Sequence, residues 1–286
     1  MTRVGIIRQG HKDRGAAALF AAACLLAACT PAAAPPVSEA AQPTIVSLNP
    51  CLDAILVEIA GPSQVLALSH YSRDAGSSSI PAGLAERYGV TGGTAEEVIA
   101  RAPDLVLASI YLPQPTRAAL ERAGLKVATF GSPTSIAESA AQIREVAALA
   151  GRADAGEALA ARIEAAPPPP AGAPVDALLW QPGEIVAGEA TLIAELLREA
   201  GFASHAARRG LEQADRVSLE SLLADPPQVV LVAGDAAGQR HPVLARGMPG
   251  TLIAPFDPSL IYCGGPTIPK ARARLSAIRA AAERVP

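Results

Sequence analysis

One phrase is written twice in this chain. Thr91–Ser109 reads TGGTAEEVIARAPDLVLAS, and Ser218–Val232 reads SLESLLADPPQVVLV. At one constant offset Thr94 matches Ser218, Glu96 matches Glu220, Val98 matches Leu222, Pro103 matches Pro227 and Leu107 matches Leu231. Each copy reads as a capped helix, a proline stop and a buried strand. Thr94 suits an N-cap, and Glu97 three residues later completes a capping-box pattern. Pro103 cannot continue the helix, because its ring fixes φ and removes a donor. The unbroken apolar run Leu105–Ala108 suits a strand covered on both faces, as in a parallel sheet.

A second pair repeats more loosely. Ile45–Gly61 is a strand, a proline loop and a helix closed by Gly, and Ala177–Gly201 has the same plan with a longer loop. Two matches in the same order, a lobe apart, describe a duplicated domain rather than a solenoid. Alternating strands and helices of this length imply α/β lobes with parallel sheets. The expected division is a leader at 1–29, a tether at 30–43, a first lobe at 44–152, a linking helix and proline-rich connection at 153–174, and a second lobe at 175–286. The helix expected to bridge the lobes is Asp154–Ala166, ended by Pro167–Pro170.

The leader has a positive start (Arg3, Arg8, Lys12, Arg14) and an apolar stretch, Ala16–Ala28, too short for a comfortable membrane span. It closes with Leu26-Ala27-Ala28-Cys29, similar to the bacterial lipobox, in which small residues precede a lipidated cysteine. That makes Cys29 the expected lipid-anchor site, with ordinary cleavage nearby as the alternative. Cys24 leaves with the leader. Thr30–Pro43 is rich in Ala and Pro and reads as a tether. The net charge of −3 gives no reason to expect a nucleic-acid partner.

In open parallel sheets ligands bind beyond the carboxyl ends of the strands, and two such lobes place the default site between them. The loops at that edge carry Asn49 and Cys51, then His70, Tyr71 and Ser72, then Tyr111, Trp180 and Cys263. Only 3% of residues are aromatic, so each Tyr and the single Trp needs a role. For Tyr71, Tyr111 and Trp180 the choice is between lining the cleft and packing within a lobe. Cys51 and Cys263, one per lobe, leave three readings open. They are small thiols, a disulfide of the kind an oxidising compartment permits, or soft metal ligands with His70 as partner. Thr91-Gly92-Gly93-Thr94 lacks the lysine and spacing of a phosphate-binding loop. His205 and His241 sit in polar contexts and read as solvated.

The ordered set IVSLNP at Ile45, LALSHYSRD at Leu66, the two repeated phrases, the strand at Leu179 and TLIAELLREAG at Thr191 resembles one family. It is the iron-complex and vitamin B12 periplasmic solute-binding proteins of ATP-driven importers. The resemblance implies two Rossmann-like lobes joined by one long helix, of the class III binding-protein type. The implied ligand is a siderophore, haem or cobalamin-type corrinoid held between the lobes. The implied partner is an ABC permease, whose arginines meet a carboxylate on each lobe, here Glu96 and Glu220. Both also fit simple helix electrostatics, since negative charge is favoured near a helix start. Tyr71 falls at a position that often lines the cleft in this family. The family implies an exported, periplasmic, monomeric protein with no cofactor and no enzymatic activity. Two competing functions are a thiol hydrolase using Cys51 and His70, and a sensor on the same fold. The hydrolase would need a base within reach of the thiol, and no GxSxG elbow occurs.

Overall fold

A computed structural model describes residues 42–211 and 215–284. The leader, Cys29 and most of the tether lie outside the described residues. The first lobe runs β1 (Ile45–Ser47), α1 (Pro50–Ile59), β2 (Val65–Ser69), α2 (Ala82–Ala85), β3 (Val90–Thr91), α3 (Ala95–Arg101), β4 (Leu105–Ser109), α4 (Gln114–Arg122), β5 (Lys126–Phe130) and α5 (Ile136–Leu149). Its five strands are all parallel, in the order β3-β2-β1-β4-β5. Such an order reverses direction between β1 and β4, the place where open α/β sheets leave a crevice.

Helix α6 (Ala153–Glu164) follows, then the proline-rich stretch. The second lobe runs β6 (Val175–Trp180), β7 (Ile185–Val186), α7 (Leu192–Glu199), β8 (Phe202–Ser204), α8 (His205–Arg208), β9 (Asp215–Arg216), α9 (Leu219–Ala224), β10 (Val229–Ala233), α10 (Val243–Gly247), β11 (Leu252–Phe256) and α11 (Ile268–Ala282). Its strands lie in the order β11-β10-β6-β7-β9, with β8 also beside β6. This sheet is mixed rather than wholly parallel. After Trp180 the chain turns back through Gly183 and Glu184, both with positive φ, and pairs Trp180 with Val186 antiparallel.

The repeated phrase folds alike in both lobes. The Thr94 hydroxyl accepts from Glu97 N and starts α3, and the Ser218 hydroxyl accepts from Ser221 N and starts α9. In each case the helix leads into a strand that is buried along its apolar length, β10 throughout and β4 up to Ala108. The capping box is only half formed. The Glu97 carboxylate reaches past Thr94 to Thr91 Oγ1 (2.7 Å) and Gly92 N (2.6 Å), donors left free beyond β3. Those two hydrogen bonds hold its pKa below the usual range.

The lobes share one core. Leu52 and Ile55 of α1, Ile143 of α5, Ile193 and Leu196 of α7, and Ile268 of α11 belong to a single buried cluster. A polar clamp reinforces it. Arg272 on α11 donates to Glu199 at 2.8 and 3.0 Å, and to the carbonyls of Ile163 and Ala165 at the end of α6. With Arg272 only 8% exposed, losing one partner strands the other charge. Arg272→Ala should therefore cost about 3 kcal/mol in urea unfolding. Arg117→Ala, which breaks a surface pair with Glu121, should have no measurable effect. Equal effects of the two substitutions would contradict this account of how the lobes are joined.

Candidate functional site

Three chain segments meet where the carboxyl edges of the two sheets face each other. The first follows β1. Asn49 caps α1, its Oδ1 accepting from Cys51 N (2.8 Å) and Leu52 N (3.3 Å), with Pro50 preset for the first helical position. The second follows β6 and carries Gln181. The third, Asp257–Thr267, leaves β11 and crosses onto the first lobe. Ser79 Oγ donates to Ser259 O (2.7 Å), and Gly265 N donates to Ser139 Oγ (2.7 Å). The crossing demands glycine. A Cβ on Gly264 would stand 2.7 Å from Leu192 Cδ2 and 2.9 Å from Ser139 Oγ. Gly265 also takes a positive φ of 63°.

A disulfide joins Cys51 to Cys263 at this meeting point. It settles the three readings of these cysteines. Each sulfur is bonded to the other, so neither is the thiolate that a metal site or a hydrolase would need. The set Cys51, His70 and Cys263 is thus no metal centre, and Cys51 with His70 is no nucleophile and base. Among the described residues there is no group of three His, Cys, Asp or Glu side chains able to hold a metal ion. The bond forms part of the wall of a cavity of about 310 Å³, at the low end for small-molecule sites. Asn49, Phe130, Gln142, Gln181 and Tyr262 line it with the cystine.

The remaining expected site residues divide. Tyr71 and Tyr111 stand exposed on the first-lobe rim, 48% and 81% accessible, and the His70 ring lies 4.0 Å from that of Tyr71. Ser72 instead faces inward and donates to Asp53 Oδ2 at 2.6 Å. Trp180 is not at the mouth. It is fully buried on the opposite face of β6, its Nε1 donating to Val217 O at 3.0 Å. Strand alternation explains this, since Leu179 takes the cavity side and sends its neighbour to the other. His205 is buried rather than solvated, its Nδ1 2.8 Å from Asp176 Oδ2. Glu96 and Glu220 are exposed at the second position of α3 and α9. Each of these helices begins at the carboxyl edge of its sheet, because it leads back into a parallel strand.

Asp53 was not anticipated. It lies wholly buried in α1, where Oδ2 accepts from Ser69 N (2.9 Å), Ser69 Oγ (2.6 Å) and Ser72 Oγ (2.6 Å), while Oδ1 has no partner. Burial pushes its carboxyl up to about 7, against the hydrogen bonds from the serines. The only available signal was an acid at the start of the apolar stretch LDAILV. Through Asp53, α1 holds the loop that presents His70 and Tyr71.

Residues 45–244 match the family model described as periplasmic binding protein. The chain belongs to the periplasmic binding protein family. No curated protein matches the sequence. Among solved structures, this binding protein resembles the periplasmic haem-binding protein HutB of Vibrio cholerae (17% identity, TM-score 0.68, covering 82% of this chain and 98% of that one). It also resembles the haem-binding protein RhuT from Roseiflexus sp. RS-1 (24% identity, TM-score 0.65, 84% and 98%). A third is the vitamin B12 binding protein BtuF of Vibrio cholerae (17% identity, TM-score 0.63, 84% and 98%). At these identities the likeness is one of fold. Among the described residues of this binding protein, no helix is long and apolar enough to cross a membrane.

The Asp53 geometry gives a pH dependence with a definite sign. Its folded pKa lies above the ordinary carboxyl value, so between about 4 and 7 the folded chain keeps a proton that the unfolded chain has released. The stabilisation is complete at low pH and is lost as pH rises through 7. Urea unfolding should show the chain less stable at pH 8 than at pH 5, with Asp53 contributing on the order of 3 kcal/mol to that difference. Asp53→Asn should flatten that slope. An identical slope in the variant would remove Asp53 as the cause.

Proposed function

We propose that this periplasmic binding protein is the solute-capturing component of an ABC importer. It takes up a metal chelate, either an iron siderophore, haem or a cobalamin-type corrinoid, and delivers it to a permease. The observation that carries this reading is the convergence of both sheets' carboxyl edges on one cavity, with an exposed glutamate at the same helix position in each lobe. The names of the structural neighbours, two haem-binding proteins and a vitamin B12-binding one, support the ligand class. In this reading Tyr71, Tyr111 and His70 meet the guest at the rim, and Asn49 meets it inside. Glu96 and Glu220 pair with cations of the permease. The first lobe spans 44–152, the link 153–174 and the second lobe 175–286. The body is a monomer held near the membrane by a lipid on Cys29 and the tether.

Two measurements test this. Calorimetric titration with haemin, a ferric hydroxamate siderophore and cyanocobalamin should find one chelate that binds one-to-one with Kd near 1 μM or tighter. Absence of binding to all three sinks the proposal. In reconstituted uptake, Glu96→Ala with Glu220→Ala should lower transport at least about tenfold, as the loss of close interfacial charge pairs requires. The affinity for the chelate should stay within about twofold. Unchanged transport would remove the glutamates from docking.

A further inference from the structure

The cavity between the lobes has a peculiar chemistry. Not one of the side chains lining it is an aspartate, glutamate, lysine, arginine or histidine. Its polar groups are hydroxyls and three carboxamides, one from each of three elements. Asn49 follows β1, Gln142 sits on α5 and Gln181 follows β6. Two of these already have one end occupied. Asn49 gives its oxygen to the cap of α1 and presents its NH₂, while Gln142 holds Gly131 O through Nε2 at 2.8 Å and presents its oxygen. The rest of the wall is apolar, from Phe130, Leu192 and Ile268, together with the cystine.

Two carboxylates stand near the cavity wall at Tyr262. Burial, and then the carboxylates of Asp257 and Asp74, push the Tyr262 phenol up at the cavity wall. Arg73, beside Asp74 in the chain, is turned away and donates to Tyr88 O at 3.0 Å. A guest carboxylate placed in this cavity would lose its water, find no cation in the lining and meet the carboxylates near Tyr262. A primary amide would instead find donors and acceptors of its own kind, and alkyl groups would find the apolar wall.

From the uncharged lining and its three carboxamides, we propose that this cavity selects a neutral guest surface carrying amides and alkyl groups and rejects one carrying carboxylates, with Gln181 as a specificity-determining residue. The inference rests on the solute-binding reading above and narrows it. At about 310 Å³ the cavity holds an edge of a large chelate, and that edge is the part selected.

Dicyanocobinamide and haemin separate the two chemistries. Both are flat coloured macrocycles, but the first is rimmed mainly by primary amides and the second carries two propionates. Titration of the purified full-length protein, followed by absorption, should show dicyanocobinamide bound at least about tenfold tighter than haemin. Gln181→Glu should weaken the dicyanocobinamide complex about tenfold or more, and Gln142→Glu should do the same if Gln181→Glu fails to fold. Thermal melting checks each variant. Haemin bound as tightly as dicyanocobinamide, or a folded carboxylate variant with unchanged dicyanocobinamide affinity, overturns the inference and leaves the solute-binding reading standing. Failure of the protein to bind either macrocycle, or any other chelate, overturns both.

Discussion

The bond between Cys51 and Cys263 organises the site. It closes a loop of 212 residues and ties the first turn of α1 to the segment that crosses from the second lobe. By loop-closure entropy alone, such a link disfavours the unfolded chain by roughly 5 kcal/mol. Its geometric effect matters more for function. The bond holds the lobes together at the floor of the cleft, while Tyr71 and Tyr111 stand exposed at the rim. A cavity whose walls are already fixed saves a guest the cost of ordering them.

Around this bond the lobes are joined in layers. Gly264 passes closely between Ser139 of the first lobe and Leu192 of the second, where a Cβ would force both side chains to shift. Glu195 of α7 accepts from Ile136 N at the start of α5 (2.8 Å), so one lobe caps a helix of the other. Arg272 fastens the end of α6 to α7 from the far side. The result is a nearly rigid frame in which α1 is central. It carries Cys51, it is capped by Asn49, and through Asp53 it positions the loop bearing His70 and Tyr71.

The features written as local patterns were legible in the sequence. The Thr94 and Ser218 caps, the proline stops, and strands β4 and β10 follow from short-range sterics and hydrogen bonding, and their repetition revealed two lobes. The family and the cleft edge followed from the order of those phrases. What escaped depends on contacts between distant residues. Whether Trp180 lines the mouth or packs inside cannot be read from its place at a strand end; strand alternation puts it on the buried face, against Val217. Ser72 faces Asp53 rather than solvent because a buried carboxylate collects the nearest donors. His205 is buried with its Nδ1 beside Asp176, 29 residues away, a partner no local pattern announces. Pro182-Gly183 does signal a turn, but it does not say that the chain folds back there to pair Val186 with Trp180. The choice among thiol, disulfide and ligand at Cys51 and Cys263 required the crossing segment, which no local pattern announces.

The central claim is that a covalent floor holds both lobes around one cavity. Native-state hydrogen exchange of the oxidised chain against the same chain after mild reduction tests it most directly. The account predicts that reduction lowers protection in the first turns of α1 and in residues 261–267 by about a hundredfold or more, while β4 and β10 keep theirs. Unchanged protection at both ends of the bond, or uniform loss throughout the chain, would contradict it.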